Sequence, residues 1–419
     1  MSHQLFFLCP NCLAEDQFIQ NRCKSCDAKI DIQPYSVTCG KKQFSIAEYY
    51  QFLLKHLSVE QSAHFRSTDA FPDALRVSDV ATLRQGKTPV AIRGYRGWFN
   101  RTILAPENIA EGHLIFEEGA LRFISPEKQW YFPATKITAI TTDSHYLEFK
   151  RRGEPFFHIH FHNESALKYE ILLRKWLQQN YTRLNLGDIC EFQPHIRTTS
   201  PTPGKRIWQI SPGNPLPESA TEKIVKKLIA ALLRLLLRPL IRIRFEGLEN
   251  WQPDMPGFVL VNHQSALDPF IVTAFLDHRI AFLTKASAFT HTTQRKFLQW
   301  VMGIPTTRYQ HDSAVIRDIK TMLQQGVKVG VFPEAERCWN GKLQPFKYGL
   351  VKTIMASQMP VFCIQLENVF DFWPRWSSLP RRAKVVFRIH PPFCLLPEVT
   401  GVDEQRQFLE SIFSETQQL

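Results

Sequence analysis

The chain has 419 residues, 44% hydrophobic and 21% charged, enough for two or three separate cores. Its formal net charge of +12 points to an anionic partner: nucleic acid, an anionic membrane surface or a phosphorylated substrate. No apolar run reaches the roughly 18 uncharged residues that a spanning helix needs, and nine cysteines, four of them crowded at the start, suit a reducing cytoplasm better than a disulfide framework.

Leu5-Phe6-Phe7-Leu8 is too short for the apolar region of a signal peptide and lacks a basic lead-in. Cys9 and Cys12, then Cys23 and Cys26, form two CxxC pairs. Each pair lets a turn aim two thiolates at one metal, and two such pairs complete a tetrahedral set. The expectation over residues 1–40 is a zinc ribbon whose zinc is structural, because four protein ligands leave no open position. A redox dithiol is the rival reading, although it usually needs one CxxC at a helix start. Cys39 lies beyond the set and receives no role.

Residues 41–86 read as a helical connector. Ile46, Tyr49, Tyr50, Leu53, Leu54 and Leu57 fall at helical spacing, and Ser58 to Gln61 has the form of a capping box. Over 87–181 the period changes to two, in six short runs from Leu114 to Phe161, and a helix with Leu167, Ile171, Leu172, Trp176 and Leu177 closes the set. Antiparallel strands capped by a helix resemble a pleckstrin-homology-like or GRAM-like domain. Such folds bind phospholipid headgroups or protein tails, or brace their neighbours. Lys150, Arg151 and Arg152 sit at a hairpin tip, as a solvated turn or a contact to anionic lipid. His158, His160 and His162 alternate on one strand face, which reads as a polar outer face.

Residues 182–217 hold six prolines and read as a linker. Residues 218–238 then read as an amphipathic helix opening the last domain, 218–419. Lys223, Lys226, Lys227, Arg234 and Arg238 share one side, and Val225, Leu228, Ile229, Leu232, Leu235 and Leu236 take the other. This is the pattern of a helix lying in a membrane interface, or of a helix packing its leucines on a core.

The apolar run Gly257 to Val261 reads as a buried strand, followed by Asn262-His263-Gln264-Ser265-Ala266-Leu267-Asp268-Pro269. Asp268 suits the N-cap and Pro269 the first turn of the next helix. Residues five apart do not share a helix face, but on a strand-turn-helix corner His263 and Asp268 can meet, and the carboxylate then fixes the imidazole's tautomer.

NHQSALD resembles the NHx4D signature of the glycerophospholipid acyltransferase family, which includes the lysophosphatidic acid acyltransferases. Three further blocks follow in that family's order: Gly303-Ile-Pro305-Thr-Thr-Arg308; Val331-Phe332-Pro333-Glu334-Ala335-Glu336-Arg337; and the apolar Met359 to Ile364. The third block departs from the family's FPEGTR, with Ala335 for glycine and Glu336 for threonine. A positive φ at Ala335 would be strained. Phe346-Lys347-Tyr348-Gly349 resembles the family's basic stretch, and Trp373-Pro374-Arg375 is similar to bacterial members.

The resemblance implies an α/β domain with a mixed sheet and an O-acyltransferase of the 1-acylglycerol-3-phosphate type. The donor would be acyl-CoA or an acyl carrier protein, with no cofactor for the transfer, and the acceptor lysophosphatidic acid or a related lysophospholipid. His263 would be the general base, oriented by Asp268. Arg308, Arg337 and Lys347 would hold the acceptor's phosphate, with Gly303, Pro305, Phe332, Pro333 and Glu334 shaping that site and Glu334 locking Arg337 or accepting a hydrogen bond from glycerol. The protein would work peripherally on the cytoplasmic face of a membrane. The alternative is a non-catalytic lipid-binding scaffold recruited through the ribbon and middle domain, with a protein partner for those domains. A nucleic-acid partner is not expected, because no aromatic-basic strand signature accompanies the charge.

Overall fold

A computed structural model describes residues 4–19, 21–33, 36–60, 71, 74–143, 145–198, 219–277, 279–307, 312–395 and 401–414. The chain falls into two compact units. One holds residues 1–89, 104–202 and 307–311, and the other holds 90–103, 203–306 and 312–419.

In the first unit the cysteine-rich start ends in a three-stranded antiparallel sheet, Ile30–Ile32, Ser36–Cys39 and Lys42–Ser45. Helix α1 (Ile46–His56) follows, capped reciprocally by Ser45 and Glu48. The expected box at Ser58 to Gln61 ends on a residue outside the described ones, and the box that forms is this earlier one. Tyr49 is fully buried and donates from its hydroxyl to the Leu8 carbonyl at 2.7 Å, which ties α1 to the cysteine-rich segment.

Seven antiparallel strands come next: β1 (Arg76–Arg93), β2 (Asn100–Phe116), β3 (Ala120–Ile124), β4 (Gln129–Pro133), β5 (Ile137–Thr142), β6 (Tyr146–Arg151) and β7 (Phe156–Phe161). Their order across the sheet is β5-β6-β7-β1-β2-β3-β4. Helix α2 (Ala166–Arg183) buries Leu167, Ile171, Leu172, Trp176 and Leu177, the positions its period selects. The helical connector is corrected: among its described residues only 46–56 is helical, and residues 76–86 are strand. The run Arg76 to Arg84 holds too few apolar residues at period two to announce a strand, and β1 is held by pairing with β7 along Ala81 to Gln85. The histidine face is corrected too. His158 is buried, with Nε2 2.9 Å from the buried Glu148 and its ring stacked on Tyr146. Part of the linker is ordered, as Ile189–Glu191 pairs with Arg197–Thr198, and 199–218 lies outside the described residues.

The second unit begins with residues 90–103, the far ends of β1 and β2 and the turn between them. Helix α3 (Ala220–Leu237) is capped by Ser219 and Glu222. It buries Lys226, Ala230 and Leu237, while Ile224, Leu228, Leu232, Leu235 and Leu236 are each more than half exposed. Lys226 is thus corrected from the solvated basic face to the buried side, with its ammonium over the Tyr95 ring at 4.4 Å. No helix among the described residues is long and apolar enough to cross a membrane.

The sheet of this unit is built from β8 (Ile241–Glu246), β9 (Phe258–Val261), β10 (Ile280–Lys285), β11 (Ile304–Thr306), β12 (Lys328–Val331), β13 (Pro360–Glu367) and β14 (Ala383–Ile389), in the order β8-β14-β13-β9-β12-β10-β11. It is mixed: β13 and β14 run antiparallel, and the other neighbours along this path run parallel. The apolar runs are unbroken because both faces are covered. Phe258, Leu260, Val329 and Val331 face one core, and Val259, Val261, Phe362 and Ile364 face the other. The four blocks occupy the central strands and one end of the sheet, following β9 and β12 and lying on β11 and β13.

Candidate active site

The polar residues begin where β9 ends. Asn262 pairs with the backbone of β13 through both ends of its amide, accepting from Leu366 N at 2.7 Å and donating to Leu366 O at 2.9 Å. This terminates the strand in a fixed direction, and the chain then turns at His263 into helix α4 (Asp268–Phe275). Asp268 is the first helical residue rather than the cap, with Leu267 in the cap position. Its carboxylate therefore reaches back along the turn. One oxygen, Oδ2, accepts from His263 Nδ1 at 2.8 Å, Gln264 N at 2.7 Å and Ser265 N at 2.9 Å. An ionised carboxylate cannot donate, so Nδ1 carries the proton and Nε2 keeps its lone pair. Asp268 is fully buried, and the His263 side chain keeps 10% of its surface exposed.

The turn after β12 closes on the same histidine. Phe332 stacks on its ring at 4.0 Å between centroids. Glu334 accepts from the His263 amide at 2.7 Å through one oxygen and from the Gln344 amide at 2.8 Å through the other. Cys338 N donates to His263 O at 3.0 Å. Both backbone groups of His263 are thus engaged by residues 334–338. Burial pushes the Glu334 carboxyl up to about 8 against the pull of those two amides, and the nearby Asp268 charge adds to the rise. Glu334 was expected to lock Arg337 or to meet glycerol, and its carboxylate serves the two amides.

Pro333 O accepts from Lys347 N at 2.9 Å, and Lys347 caps the helix Tyr348–Ser357 close enough for its charge to act on Glu334. Arg337 is half-buried, and its carbonyl accepts from the buried Arg375, whose guanidinium lies over the Trp339 ring at 4.1 Å. Gly303 and Pro305 enter β11 two strands from β12, and a Cβ on Gly303 would press on Leu298 O and the Phe289 ring at 3.2 Å. Arg308 lies outside the described residues. Asn262, Gln344 and Cys338 support the site without having been singled out. Asn262 stood inside the quoted motif, whereas the other two act through backbone amides and leave no side-chain signal. A cavity of about 430 Å³ opens beside this turn, lined in part by Asn262, Gln264, Glu334, Asn340, Gln365 and Asp371.

In the first unit the sulfurs of Cys9, Cys12, Cys23 and Cys26 all lie within 4.8 Å of one another. Cys9 and Cys26 are 3.7 Å apart, and Cys12 and Cys23 are 3.6 Å apart. A tetrahedron with zinc–sulfur arms of about 2.3 Å has edges of about 3.8 Å, so these four fit one metal ion. Cys39 places a fifth sulfur 3.9 Å from that of Cys9.

Residues 242–367 match the model of a family described as Acyltransferase. The chain is 31% identical over 159 residues to the 1-acyl-sn-glycerol-3-phosphate acyltransferase alpha of Mus musculus, covering 36% of this chain and 55% of that one. It is 28% identical over 162 residues to a chloroplastic 1-acyl-sn-glycerol-3-phosphate acyltransferase of Arabidopsis thaliana (37% and 44% covered), and 24% identical over 153 residues to one from Borreliella burgdorferi (36% and 61%). The chain thus spans about half the length of the curated relatives it matches. Among solved structures, the 1-acyl-sn-glycerophosphate acyltransferase PlsC of Thermotoga maritima is similar at 22% identity and a TM-score of 0.40, covering 46% of this chain and 79% of that one.

Ala335 adopts φ +60° in the turn that holds His263. The left-handed region costs a residue with a Cβ about 1 kcal/mol, so this turn carries strain that glycine relieves. Ala335→Gly is expected to raise the unfolding free energy by about 0.5–1 kcal/mol, read as a higher urea midpoint with an unchanged m-value.

Proposed function

We propose, from the match of residues 242–367 to the acyltransferase family model, that this protein moves a fatty acyl group from an acyl thioester to the free hydroxyl of lysophosphatidic acid or a close lysophospholipid. The observation that carries the reading is the Asp268 oxygen on His263 Nδ1 at 2.8 Å, which leaves Nε2 as the basic atom. In the proposed reaction Nε2 takes the proton from the acceptor hydroxyl as its oxygen attacks the thioester carbonyl. Asp268 stabilises the imidazolium that forms. The tetrahedral intermediate expels the thiolate, and the imidazolium returns the proton to it. A thioester is already activated, so neither a covalent enzyme intermediate nor a metal is required. Arg308, Arg337 and Lys347 are assigned to the acceptor's phosphate, where guanidinium forks suit its oxygens. Gly303, Pro305, Phe332, Pro333 and Glu334 shape and brace that site. The donor is acyl-CoA or an acyl carrier protein.

The same reading places the protein peripherally on the cytoplasmic face of a membrane, held by α3. Its exposed apolar stripe of Ile224, Leu228, Leu232, Leu235 and Leu236 is flanked by exposed Lys223, Lys227, Arg234 and Arg238, which suits an anionic lipid surface. The four cysteines are assigned to a structural zinc. The seven-stranded middle domain is assigned a pleckstrin-homology-like role, bracing or recruiting a protein partner.

With purified full-length protein, lysophosphatidic acid and a long-chain acyl-CoA or acyl carrier protein, His263→Ala should lower turnover by about 10²–10⁴-fold with the circular dichroism spectrum unchanged. Wild-type protein that binds lysophospholipids but turns over none of a broad panel would support the scaffold. Leu228→Asp with Leu232→Asp should weaken sedimentation with phosphatidylglycerol vesicles by at least about tenfold, since each buried leucine contributes about 1.5–3 kcal/mol. Elemental analysis should find one zinc per chain, and Cys23→Ser should lose it and raise the protease sensitivity of the first unit.

A further inference from the structure

The sheet of the second unit is covered on both faces over its middle strands, but not at its β8 end. Ile241, Val385, Phe387 and Ile389 of β8 and β14 are buried in the core that holds Leu237 of α3, and Ile243 and Phe245 pack against it. Among the described residues, the other face of these two strands contributes to neither core of the unit. Side chains alternate along a strand, so that face carries Arg242, Arg244 and Glu246 on β8 beside Lys384, Val386 and Arg388 on β14. Arg242, Arg244 and Lys384 are exposed, Arg244 with 76% of its side-chain surface. Arg388 differs from them, being paired with Glu246 at 2.8 Å and Glu367 at 3.0 Å. Glu246 lies 3.4 Å from Arg244 but serves Arg388 more closely. Arg382, exposed one residue before β14, adds another cation at this end. The uncovered face thus keeps an excess of positive charge.

Charge on an edge strand also serves to block pairing with another sheet. That accounts for Arg242 and Arg244 on β8, the last strand in the order, but not for Lys384, because β14 has neighbours on both sides. Nor does this face suit the lipid surface assigned to α3. That helix packs on the opposite face, in the core with Ile241, so a flat bilayer that meets its leucines lies on the far side of the sheet. The phosphates of a nucleotide are held in concave sites, whereas these cations stand on an open strand face. An open basic surface two strands wide suits the acidic surface of a soluble protein. Along the order β8-β14-β13-β9, the His263 turn is three strand spacings away, about 14 Å. On the way, and on the same face, β13 presents Gln365 and Glu367, which line the cavity of about 430 Å³ beside that turn. A phosphopantetheine arm has the skeletal length of about five extended residues, roughly 17 Å, and spans that distance.

We propose that the uncovered face of β8 and β14 is the docking surface for an acidic carrier protein that delivers the acyl thioester, with Arg242, Arg244 and Lys384 meeting its carboxylates. This rests on the acyltransferase reading and makes the protein-borne thioester the preferred one of its two donors. The acceptor then arrives from lipid on the α3 side of the sheet and the donor from water on the other side. Charges at such a surface act mainly on encounter, which makes the interaction sensitive to salt.

The test is steady-state kinetics on the full-length protein with lysophosphatidic acid as acceptor, comparing palmitoyl acyl carrier protein with palmitoyl-CoA. The triple variant Arg242→Glu, Arg244→Glu, Lys384→Glu is expected to raise the KM for the carrier-borne donor by at least about tenfold at low salt. Its KM for palmitoyl-CoA and its sedimentation with phosphatidylglycerol vesicles should stay at wild-type values. Added salt should raise the carrier KM of the wild type and leave that of the variant nearly flat. An unchanged carrier KM overturns the proposal, and so does an equal rise for both donors, which would place a nucleotide's phosphates on these cations. Weakened vesicle binding would assign the face to the membrane and overturn it as well. Wild-type protein that uses palmitoyl-CoA but no carrier-borne thioester removes the docking surface and leaves the acyltransferase reading standing, whereas turnover of neither donor removes both. If the triple variant fails to fold, Arg244→Gln with Lys384→Gln carries the same comparison, with a rise of about threefold expected.

Discussion

The site depends on a carboxylate that has no contact with water. Asp268 is fully buried, so its oxygens depend on donors within the fold, and Oδ1 has none among the described residues. One oxygen collects three donors from three consecutive residues, 263–265. That geometry requires the chain to turn sharply after β9, and the turn in turn requires β9 to stop where it does. Asn262 stops it by pairing both ends of its amide with β13. The ring of His263 therefore takes its orientation from a strand register, and that register is set by a sheet buried on both faces.

A second buried carboxylate completes the arrangement, and the two are not equivalent. Glu334 accepts from two amides rather than three donors, and the Asp268 charge stands close enough to disfavour its own. Burial and the neighbouring carboxylate together drive the Glu334 carboxyl up. Asp268 faces the ring and Glu334 faces the backbone. Asp268 thus sits where an imidazolium would form, and Glu334 sits where it braces the backbone of the turn.

The sequence was most legible where chemistry is local. The His263 and Asp268 pair, the two CxxC pairs and the period of α2 all follow from spacing within one turn or one element. The misreadings share a different cause. Residues 76–86 become strand through pairing with a partner some 75 residues later, as in His158 opposite Arg84. Glu334 contacts backbone 71 residues away, and backbone amides have no side-chain signature. Arg101 meets Asp312 across 211 residues, a relation no periodicity encodes. Asp268 missed its expected cap position by one residue, a shift that turned its carboxylate back toward the histidine.

Helix α3 shows a limit of another kind. An amphipathic pattern says that a helix has two faces but not which one the protein covers. Here the side toward the core is narrow, carrying Lys226, Ala230 and Leu237, and the broad apolar stripe is left outside. Lys226 is buried without losing its charge's company, because the Tyr95 face offers it a partner. A helix that turned its leucines inward would have needed to expose that lysine and to displace Tyr95 from the core it shares with Phe99 and Ile103. The stretch 90–103 therefore fixes the rotation of α3. In the proposed reading, the surface that meets lipid answers to fourteen residues that come from outside the matched domain.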